Sequence, residues 1–215
     1  MNEKSTPVTV RSVGSTRMRG LRHIGQDDIE FRYKNDDLGP VARDLAGQII
    51  RYIERGINIH DGEKMSLASS VIKFERQDGV LLARALDLRH DTFLPFIDDL
   101  LLGWKDQCEV CKSIGSKYSA TNLADLVLVS PDILTAGAIR EAVRYPCVSP
   151  GSGWWIFGRS YSGNPDSMLS VHIGDVLLRQ PEAHQYLALE PGFCFAPDAK
   201  PTIWFDADVA KEERS

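Results

Sequence analysis

The residues of this chain that are best suited to chemistry are its cysteines and histidines. The four cysteines are Cys108, Cys111, Cys147 and Cys194. The five histidines are His23, His60, His90, His172 and His184. Thiolates act as nucleophiles and metal ligands, and imidazoles act as bases and metal ligands. The spacing of these residues therefore decides which kinds of site the chain can build.

Cys108 and Cys111 have the Cys-x-x-Cys spacing of half a zinc site. The second half is missing, because Cys147 and Cys194 stand alone in the sequence and no histidine follows at ligand spacing. The pair also continues an apolar helical stripe that includes Trp104. We therefore interpret Cys108 and Cys111 as free thiols that pack, with no metal bound. A zinc-stabilised scaffold is the alternative that elemental analysis would test.

Cys147 is the candidate for nucleophilic catalysis, with His172 or His184 as its base. Such a dyad can form between residues that are far apart in sequence, which leaves a small cytosolic hydrolase or transferase as the alternative function. One cysteine and one histidine occur by chance in most chains of this length. The sequence has no glycine-rich phosphate loop, zincin-type helix or nucleophile elbow. We expect a protein without catalytic residues and without a cofactor.

The negative charge of the chain is confined to its C-terminal half. Residues 118–215 contain 7 Lys and Arg against 12 Asp and Glu, whereas residues 1–117 contain 18 of each. An acidic surface does not suit nucleic acid, whose binding depends on Lys and Arg, but it suits a basic protein partner. No window has the roughly 18 apolar residues of a membrane span, and residues 1–22 lack the apolar run of a secretory signal. These features predict a cytosolic protein that binds neither nucleic acid nor membrane.

The first part of the chain predicts a small α+β unit over residues 28–115, with a hairpin and two helices, after a flexible polar leader at residues 1–27. Asp78-Gly79 between two extended runs is a strong hairpin signal. Apolar residues at helical spacing indicate the two helices. The predicted elements are a strand at 28–34, a helix at 40–55, extended runs at 65–76 and 80–87, and a helix at 93–113.

The second part predicts a C-terminal α+β domain over residues 123–206 with a mostly antiparallel sheet, after a linker at residues 115–122. A Pro/Gly turn at residues 150–153 leads directly into the aromatic run Trp-Trp-Ile-Phe at 154–157, which favours a pleated, largely buried strand. The other predicted elements are strands at 123–129, 169–173, 192–196 and 202–205, and short helices at 130–144, 174–179 and 181–186.

Several short motifs within residues 126–198 form one pattern. They are Leu-Val-Leu-Val-Ser at 126–130, Ser-Gly-Trp at 152–154, Phe-Gly at 157–158, Ile-Gly-Asp at 173–175, Pro181, Tyr-Leu at 186–187, Pro-Gly at 191–192 and Phe195. The pattern resembles the immunity protein 33-like family, small bacterial domains that are often encoded beside polymorphic or contact-dependent toxins. The resemblance implies a protein that binds a cognate toxin and blocks it inside the producing cell.

The resemblance also directs the search for contact residues to the segment around the aromatic strand. Relatives commonly carry an acidic run just after this strand, whereas this chain has Arg-Ser-Tyr-Ser-Gly-Asn-Pro-Asp at 159–166. Tight interfaces depend on a few aromatic and Arg anchors, and charge complementarity adds selectivity. Trp154 is expected in the core, since adjacent strand residues face opposite ways. The candidate partner-binding residues are Trp155, Arg159 and Tyr161 as anchors, with Asp166 and Asp175 as negative charges.

The chemistry of the toxin and the oligomeric state of this protein stay open at this stage. A nuclease is a natural target for an acidic inhibitor, because enzymes that act on nucleic acid present basic clefts. That expectation depends only on the sign of the charge.

Overall fold

The computed structural model describes the backbone of residues 8–12 and all atoms of residues 14–135 and 137–212. The chain separates into two compact units. One consists of Met1–Met65 with Ser70–Lys105, and the other of Ser66–Ser69 with Asp106–Ser215. Both units contain helices and a β-sheet, so the predicted α+β class is confirmed.

The N-terminal sheet has seven strands in the order β1-β2-β3-β6-β5-β4, with β7 paired to β6. Its strands are β1 (Val8–Ser12), β2 (Ser15–Arg19), β3 (Ile29–Arg32), β4 (Lys64–Leu67), β5 (Ser70–Gln77), β6 (Val80–Asp87) and β7 (Thr92–Leu94). The two longer helices of the chain are α1 (Gly39–Glu54) and α2 (Asp98–Ile114). The boundary between the two units falls within α2, after Lys105.

The structure confirms the periodic elements predicted for this part of the chain. The predicted strand at 28–34 is β3, and the predicted helix at 40–55 is α1, which begins next to Pro40 and buries its apolar stripe at Leu45, Ile49 and Ile53. The Asp-Gly turn joins β5 to β6, and both of its residues have the positive φ that tight hairpins need.

Three predictions for this part were wrong. The predicted leader contributes β1 and β2 from residue 8 onward, because β2 alternates arginines with Thr16 and buried Met18 and pairs with β3; residues 1–7 lie outside the described part. The second helix begins at Asp98, because Phe93 belongs to β7 and pairs with Leu86. The run at 65–76 is broken by a turn at residues 68–69, both with positive φ.

The C-terminal sheet has six strands in the order β11-β8-β10-β9-β12-β13. The strands β8 and β10 run parallel and the other neighbouring pairs run antiparallel, so the predicted mostly antiparallel sheet is confirmed. The strands are β8 (Leu126–Val129), β9 (Ile139–Arg144), β10 (Gly151–Gly158), β11 (Leu169–His172), β12 (Phe193–Ala196) and β13 (Thr202–Phe205), and the helix α3 covers Ile173–Arg179.

The short helix predicted at 130–144 was wrong. Only Pro131–Leu134 forms a 3-10 turn, and the rest of the segment leads into β9. Alanine, glutamate and arginine favour helices, but here residues alternate between the two faces of a sheet. Val143 pairs with Trp155 and Glu141 pairs with Phe157 on one face, while Ala142 pairs with Phe195 on the other.

One face of the C-terminal sheet, which we call the inner face, forms the core of this unit. Trp154 is 1% exposed, its indole N–H donates to the carbonyl of Leu187 at 3.4 Å, and its ring meets Phe195 edge-on at 5.4 Å. Phe195 in turn stacks on Tyr186 at 4.3 Å. The predicted core position of Trp154 is thus confirmed. Its neighbour Trp155 must face the other way.

Candidate partner-binding face

The Ser-Gly-Trp motif at 152–154 holds the start of β10 in place. The Ser152 hydroxyl donates to the carbonyl of Leu126 at 2.8 Å and accepts the N–H of Trp154 at 3.2 Å. Gly153 has φ 77°, and a Cβ there would overlap the carbonyl oxygen of Tyr145. The motif therefore fixes how β8, β9 and β10 approach one another, and its residues serve the fold.

The Phe-Gly motif at 157–158 does the same at the far end of β10. A Cβ on Gly158 would overlap the carboxylate of Asp132, and the Gly158 N–H donates to the hydroxyl of Ser130. Oδ2 of the Asp132 carboxylate accepts the N–H of Ser160 at 3.1 Å. These bonds join the end of β10 to the 3-10 turn after β8.

The two acidic residues predicted to contact the partner are exposed, Asp175 in the first turn of α3 and Asp166 in a 3-10 turn. Asp175 accepts the N–H of His172 at 3.2 Å and completes a capping box at the start of α3. Asp166 lies in a 3-10 turn that is capped by Asn164, whose side chain accepts the Asp166 N–H at 3.1 Å. Both carboxylates are open to solvent, and Asp175 has a structural role of its own.

The opposite side of the C-terminal sheet, the outer face, carries a row of residues that crosses all six strands. The strand register aligns one residue from each strand in sheet order: Ser170, Leu128, Trp155, Val143, Cys194 and Trp204. Val143 and Cys194 are buried, Trp155 is half-buried and Trp204 is 38% exposed. The outer face is thus apolar at its centre and only partly covered.

An aromatic ridge, formed by Tyr145, Trp155, Phe157 and Tyr161, runs along the outer face. Trp155 meets Tyr145 edge-on at 5.8 Å and Phe157 at 6.5 Å, and Phe157 lies 4.8 Å from Tyr161. The guanidinium of Arg140 lies 5.9 Å from the Tyr161 ring centroid, within cation–π range. Two of the predicted anchors, Trp155 and Tyr161, are therefore members of one surface.

The third predicted anchor, Arg159, lies in the turn between Phe157 and Tyr161. Its side chain is 72% exposed, and its guanidinium is 3.9 Å from a carboxylate oxygen of Asp198. A pair this exposed contributes little stability, so the guanidinium can exchange partners at small cost. The hydrogen bonds of Asp166 and Asp175 are to Asn164 and His172, within their own local segments.

Sequence reasoning missed Tyr145, Phe157 and Arg140. Phe157 follows Trp155 by two residues in the same strand, so alternation alone was enough to place both on one face. Arg140 and Tyr145 had no such signal, because their segment was predicted as a helix and its end. Their places become clear only once β9 pairs with β10.

Opposite charges flank the ridge. At the Tyr161 end lie the guanidinium groups of Arg140 and Arg159. At the other side, burial and, to a smaller extent, the nearby carboxylates of Glu141 and Asp206 raise the pKa of the Cys194 thiol to about 12. Cys194 is therefore an inert, protonated thiol at neutral pH. Val209, which follows β13, packs against the buried cluster of Val143, Tyr145 and Cys194.

The structure gives Cys147 and the two candidate bases separate surroundings. The thiol of Cys147 is exposed and lies 3.4 Å from the carbonyl of Val148. His172 contacts the carbonyl of Ala124 at 2.9 Å, and His184 contacts the carbonyl of Ala68 at 2.9 Å, where burial lowers its pKa. Within the described residues, no hydrogen bond joins Cys147 to either histidine.

Cys108 and Cys111 lie in α2. The thiol of Cys111 is buried and donates to the carbonyl of Ala188 at 3.4 Å, and burial raises its pKa. Across residues 14–135 and 137–212, no group of three or more His, Cys, Asp or Glu side chains is arranged to hold a metal ion.

Among the described helices, none has the length and hydropathy needed to cross a membrane.

The C-terminal part of the chain matches a known protein family. The family model of the Imm33-like domain matches residues 106–206. The match begins at Asp106, which is also the first residue of the main part of the C-terminal unit. The matched segment contains the whole six-stranded sheet, α3 and the aromatic ridge. No curated protein and no solved structure matches the chain.

Proposed function

We propose that the protein is an immunity protein that binds and neutralises a cognate bacterial toxin without catalysis, because residues 106–206 match the family model of the Imm33-like domain. The match to the domain family is the observation that carries the proposal. We further propose that it acts in the cytoplasm of the producing cell, against a secreted effector such as one delivered by type VI secretion during interbacterial competition.

The aromatic ridge is the surface that we propose for toxin binding. Hot spots of protein interfaces combine aromatic and Arg anchors with surrounding groups that exclude water. Trp155 and Tyr161 are half-buried, so they are already ordered, and Arg159 extends from the turn between them. Asp166 and Asp175 would supply longer-range attraction for a basic toxin, for which a nuclease is the natural candidate.

The test is to co-express the neighbouring gene product in a heterologous bacterium with and without this protein, and to isolate the pair. Wild-type protein should restore growth and form a stable complex. Arg159→Glu should weaken that complex at least ~10-fold, because it removes the proposed Arg anchor beside the ridge. Arg179→Glu, an equally simple reversal at the end of α3, should leave it unchanged. Trp155→Ala should weaken the complex at least ~30-fold, with its fold checked by urea denaturation.

Two results would contradict the proposal. One is the absence of toxicity and of any complex with the neighbouring product. The other is loss of protection in Cys147→Ala while the complex persists, which would favour the thiol-dependent enzyme instead. We expect Cys147→Ala to protect as well as wild type, because no hydrogen bond within the described residues couples that thiol to a histidine base.

A further inference from the structure

A cleft of about 380 Å³ opens on the outer face beside the aromatic ridge. One side is formed by Leu128, Trp155 and Ser170, which the register places side by side on β8, β10 and β11. The loop at residues 147–151 forms the other side. Because Trp155 belongs to both features, the cleft and the ridge are one continuous surface.

The chemistry of the lining indicates what can bind in the cleft. Its large apolar residues are Leu126, Val127, Leu128, Val148, Trp154 and Trp155, and none of the described lining residues is charged. Val148 is 79% exposed, the highest value for a large hydrophobic residue in the described part of the chain. Metabolites and nucleotides need converging polar groups to orient them. An apolar side chain needs only a shaped apolar wall, and this cleft provides one.

The loop that forms the cleft is held in place by its own bonds. The Gly151 N–H donates to the carbonyl of Val148 at 3.0 Å, and the Leu126 N–H donates to the carbonyl of Pro150 at 2.8 Å. Gly151 also leaves no room for a Cβ against the thiol of Cys147. A preformed site avoids much of the entropy cost of ordering a loop on binding. The exposed Val148 is thus presented on a fixed support.

The charge around the cleft selects the kind of partner. Residues 106–215 contain 9 Lys and Arg against 14 Asp and Glu, and one of those cations, Arg144, is buried. At the Leu126 end of the cleft, Asp125 precedes the strand, and Asp175 binds the N–H of His172, which is the strand partner of Leu126. Carboxylates beside an apolar cleft complement a segment that carries Lys or Arg next to an apolar residue.

We propose that this cleft receives one large apolar side chain from a basic segment of the toxin. The inference rests on the proposed immunity function and adds the chemistry of the contact. The toxin segment lies across Trp155, so that its apolar residue enters the cleft while neighbouring residues contact the ridge. Burial of such a side chain against Leu126, Leu128 and Val148 is driven by removal of apolar surface from water.

The cleft can be filled from an exposed position without disturbing the core. Ser170 lies at the edge of the sheet and is exposed, so Ser170→Trp should occupy the cleft. Its binding to the catalytically inactive product of the neighbouring toxin gene should be at least ~30-fold weaker than that of wild type. Thr202→Trp, at an exposed position on the opposite edge strand, is the matched control and should bind within about two-fold of wild type.

A second pair of variants tests the rim. Val148→Asp places a charge where we expect the apolar side chain to enter and should weaken binding by at least ~10-fold. Leu178→Asp places the same charge on an exposed apolar residue of α3, outside the cleft lining, and should not weaken it. Urea denaturation of all four variants separates weak binding from loss of fold.

Alkylation of Cys147 by N-ethylmaleimide locates the contact directly. In a Cys108→Ser background, Cys147 is the exposed thiol, because Cys111 and Cys194 are buried. Bound toxin should slow its alkylation at least ~10-fold, because the thiol lies in the cleft wall. Protection that depends on the protein's own concentration without toxin would assign the cleft to a second copy and overturn the inference.

The outcomes separate this inference from the proposed function. If wild type binds the toxin while Ser170→Trp and Val148→Asp bind equally well and Cys147 reacts at an unchanged rate, the cleft inference is wrong and the immunity function stands. If wild type forms no complex, both are wrong. Both proposals are supported if Ser170→Trp and Val148→Asp lose binding while the control variants Thr202→Trp and Leu178→Asp keep it. The bound toxin must also slow the alkylation of Cys147.

Discussion

At the start of β10, Gly153 lies so close to the carbonyl of Tyr145 that no other residue fits. Its φ of 77° disfavours any L side chain, and a Cβ would overlap the Tyr145 oxygen. The Tyr145 N–H donates to the Gly153 carbonyl at 2.9 Å, so the two backbones cannot move apart without losing that bond. The glycine of the Ser-Gly-Trp motif at 152–154 thus has a steric explanation.

We expect Gly153→Ala to lower the free energy of unfolding by about 3 kcal/mol or more, as the overlap adds to the cost of the backbone conformation. Gly163→Ala is the control, since Gly163 also has a positive φ of 91° but has no atom within 4 Å of a Cβ. It should cost only about 1 to 2 kcal/mol. Urea denaturation measures both. Equal losses in the two variants would mean that the close approach to Tyr145 does not matter.

Single residues were predictable from sequence where strand alternation decided their place. Trp154 and Trp155 are adjacent in a run that could only be a strand, so one had to enter the core and the other had to face outward. Tyr145 and Arg140 depend instead on a strand pairing that no local pattern revealed. The ridge could therefore be predicted in part, at Trp155 and Tyr161, and the cleft not at all.

Among the elements, β9 is held in the C-terminal unit by a buried arginine at its end. The Nε of Arg144 donates to the carbonyl of Ser152 at 3.1 Å, and one Nη donates to the carbonyls of Ser119, at 2.6 Å, and Leu189. The guanidinium also lies 5.7 Å from the ring centroid of Trp154. Burial lowers its pKa to about 10, which leaves it cationic at neutral pH.

We expect Arg144→Met to lower the free energy of unfolding by about 2 kcal/mol or more, because several buried carbonyls lose their donor together. The methionine keeps much of the apolar part of the arginine side chain, so the lower free energy of unfolding measures the contribution of the guanidinium group. Arg140→Met, in the same strand but exposed, should change stability by less than about 0.5 kcal/mol. Guanidinium chloride titration compares the two. If Arg144→Met were as stable as wild type, the carbonyls would have other donors and β9 would not depend on this residue.

The elements that were predicted correctly are those with strong local signals, such as the helix next to Pro40, the Asp-Gly hairpin and the aromatic strand. The segment at 139–144 was misassigned because Ile-Arg-Glu-Ala-Val-Arg suits a helix by residue type. It is a strand because β10 and β12 pair with it from both sides. Pairing partners more than fifty residues away override propensity, and no local window contains them.

For the whole molecule, the C-terminal unit includes a short loop from the N-terminal half of the chain, Ser66–Ser69, which consists of the last two residues of β4 and the turn that follows. Ser69 is buried, its hydroxyl donates to the carbonyl of Thr121 at 3.1 Å, and Gln107 donates to that hydroxyl at 3.3 Å. The His184 ring also donates to the carbonyl of Ala68. The match to the Imm33-like domain begins at residue 106 and leaves this loop out. Sequence reasoning could not find the loop, because it interrupts what was predicted as one extended run.

We expect Ser69→Ala to lower the free energy of unfolding of the C-terminal unit by about 1 to 2 kcal/mol, since buried polar groups of Thr121 and Gln107 lose a partner. Ser66→Ala, at an exposed position of the same loop, should have no effect. A fragment of residues 106–215 lacks Ala68 as well as Ser69, so it should unfold at a lower urea concentration than Ser69→Ala. Tryptophan fluorescence follows this unit, because Trp154, Trp155 and Trp204 all belong to it. A fragment as stable as the unit in the full chain would mean that the Imm33-like segment is a complete fold by itself, and that residues 66–69 add nothing to it.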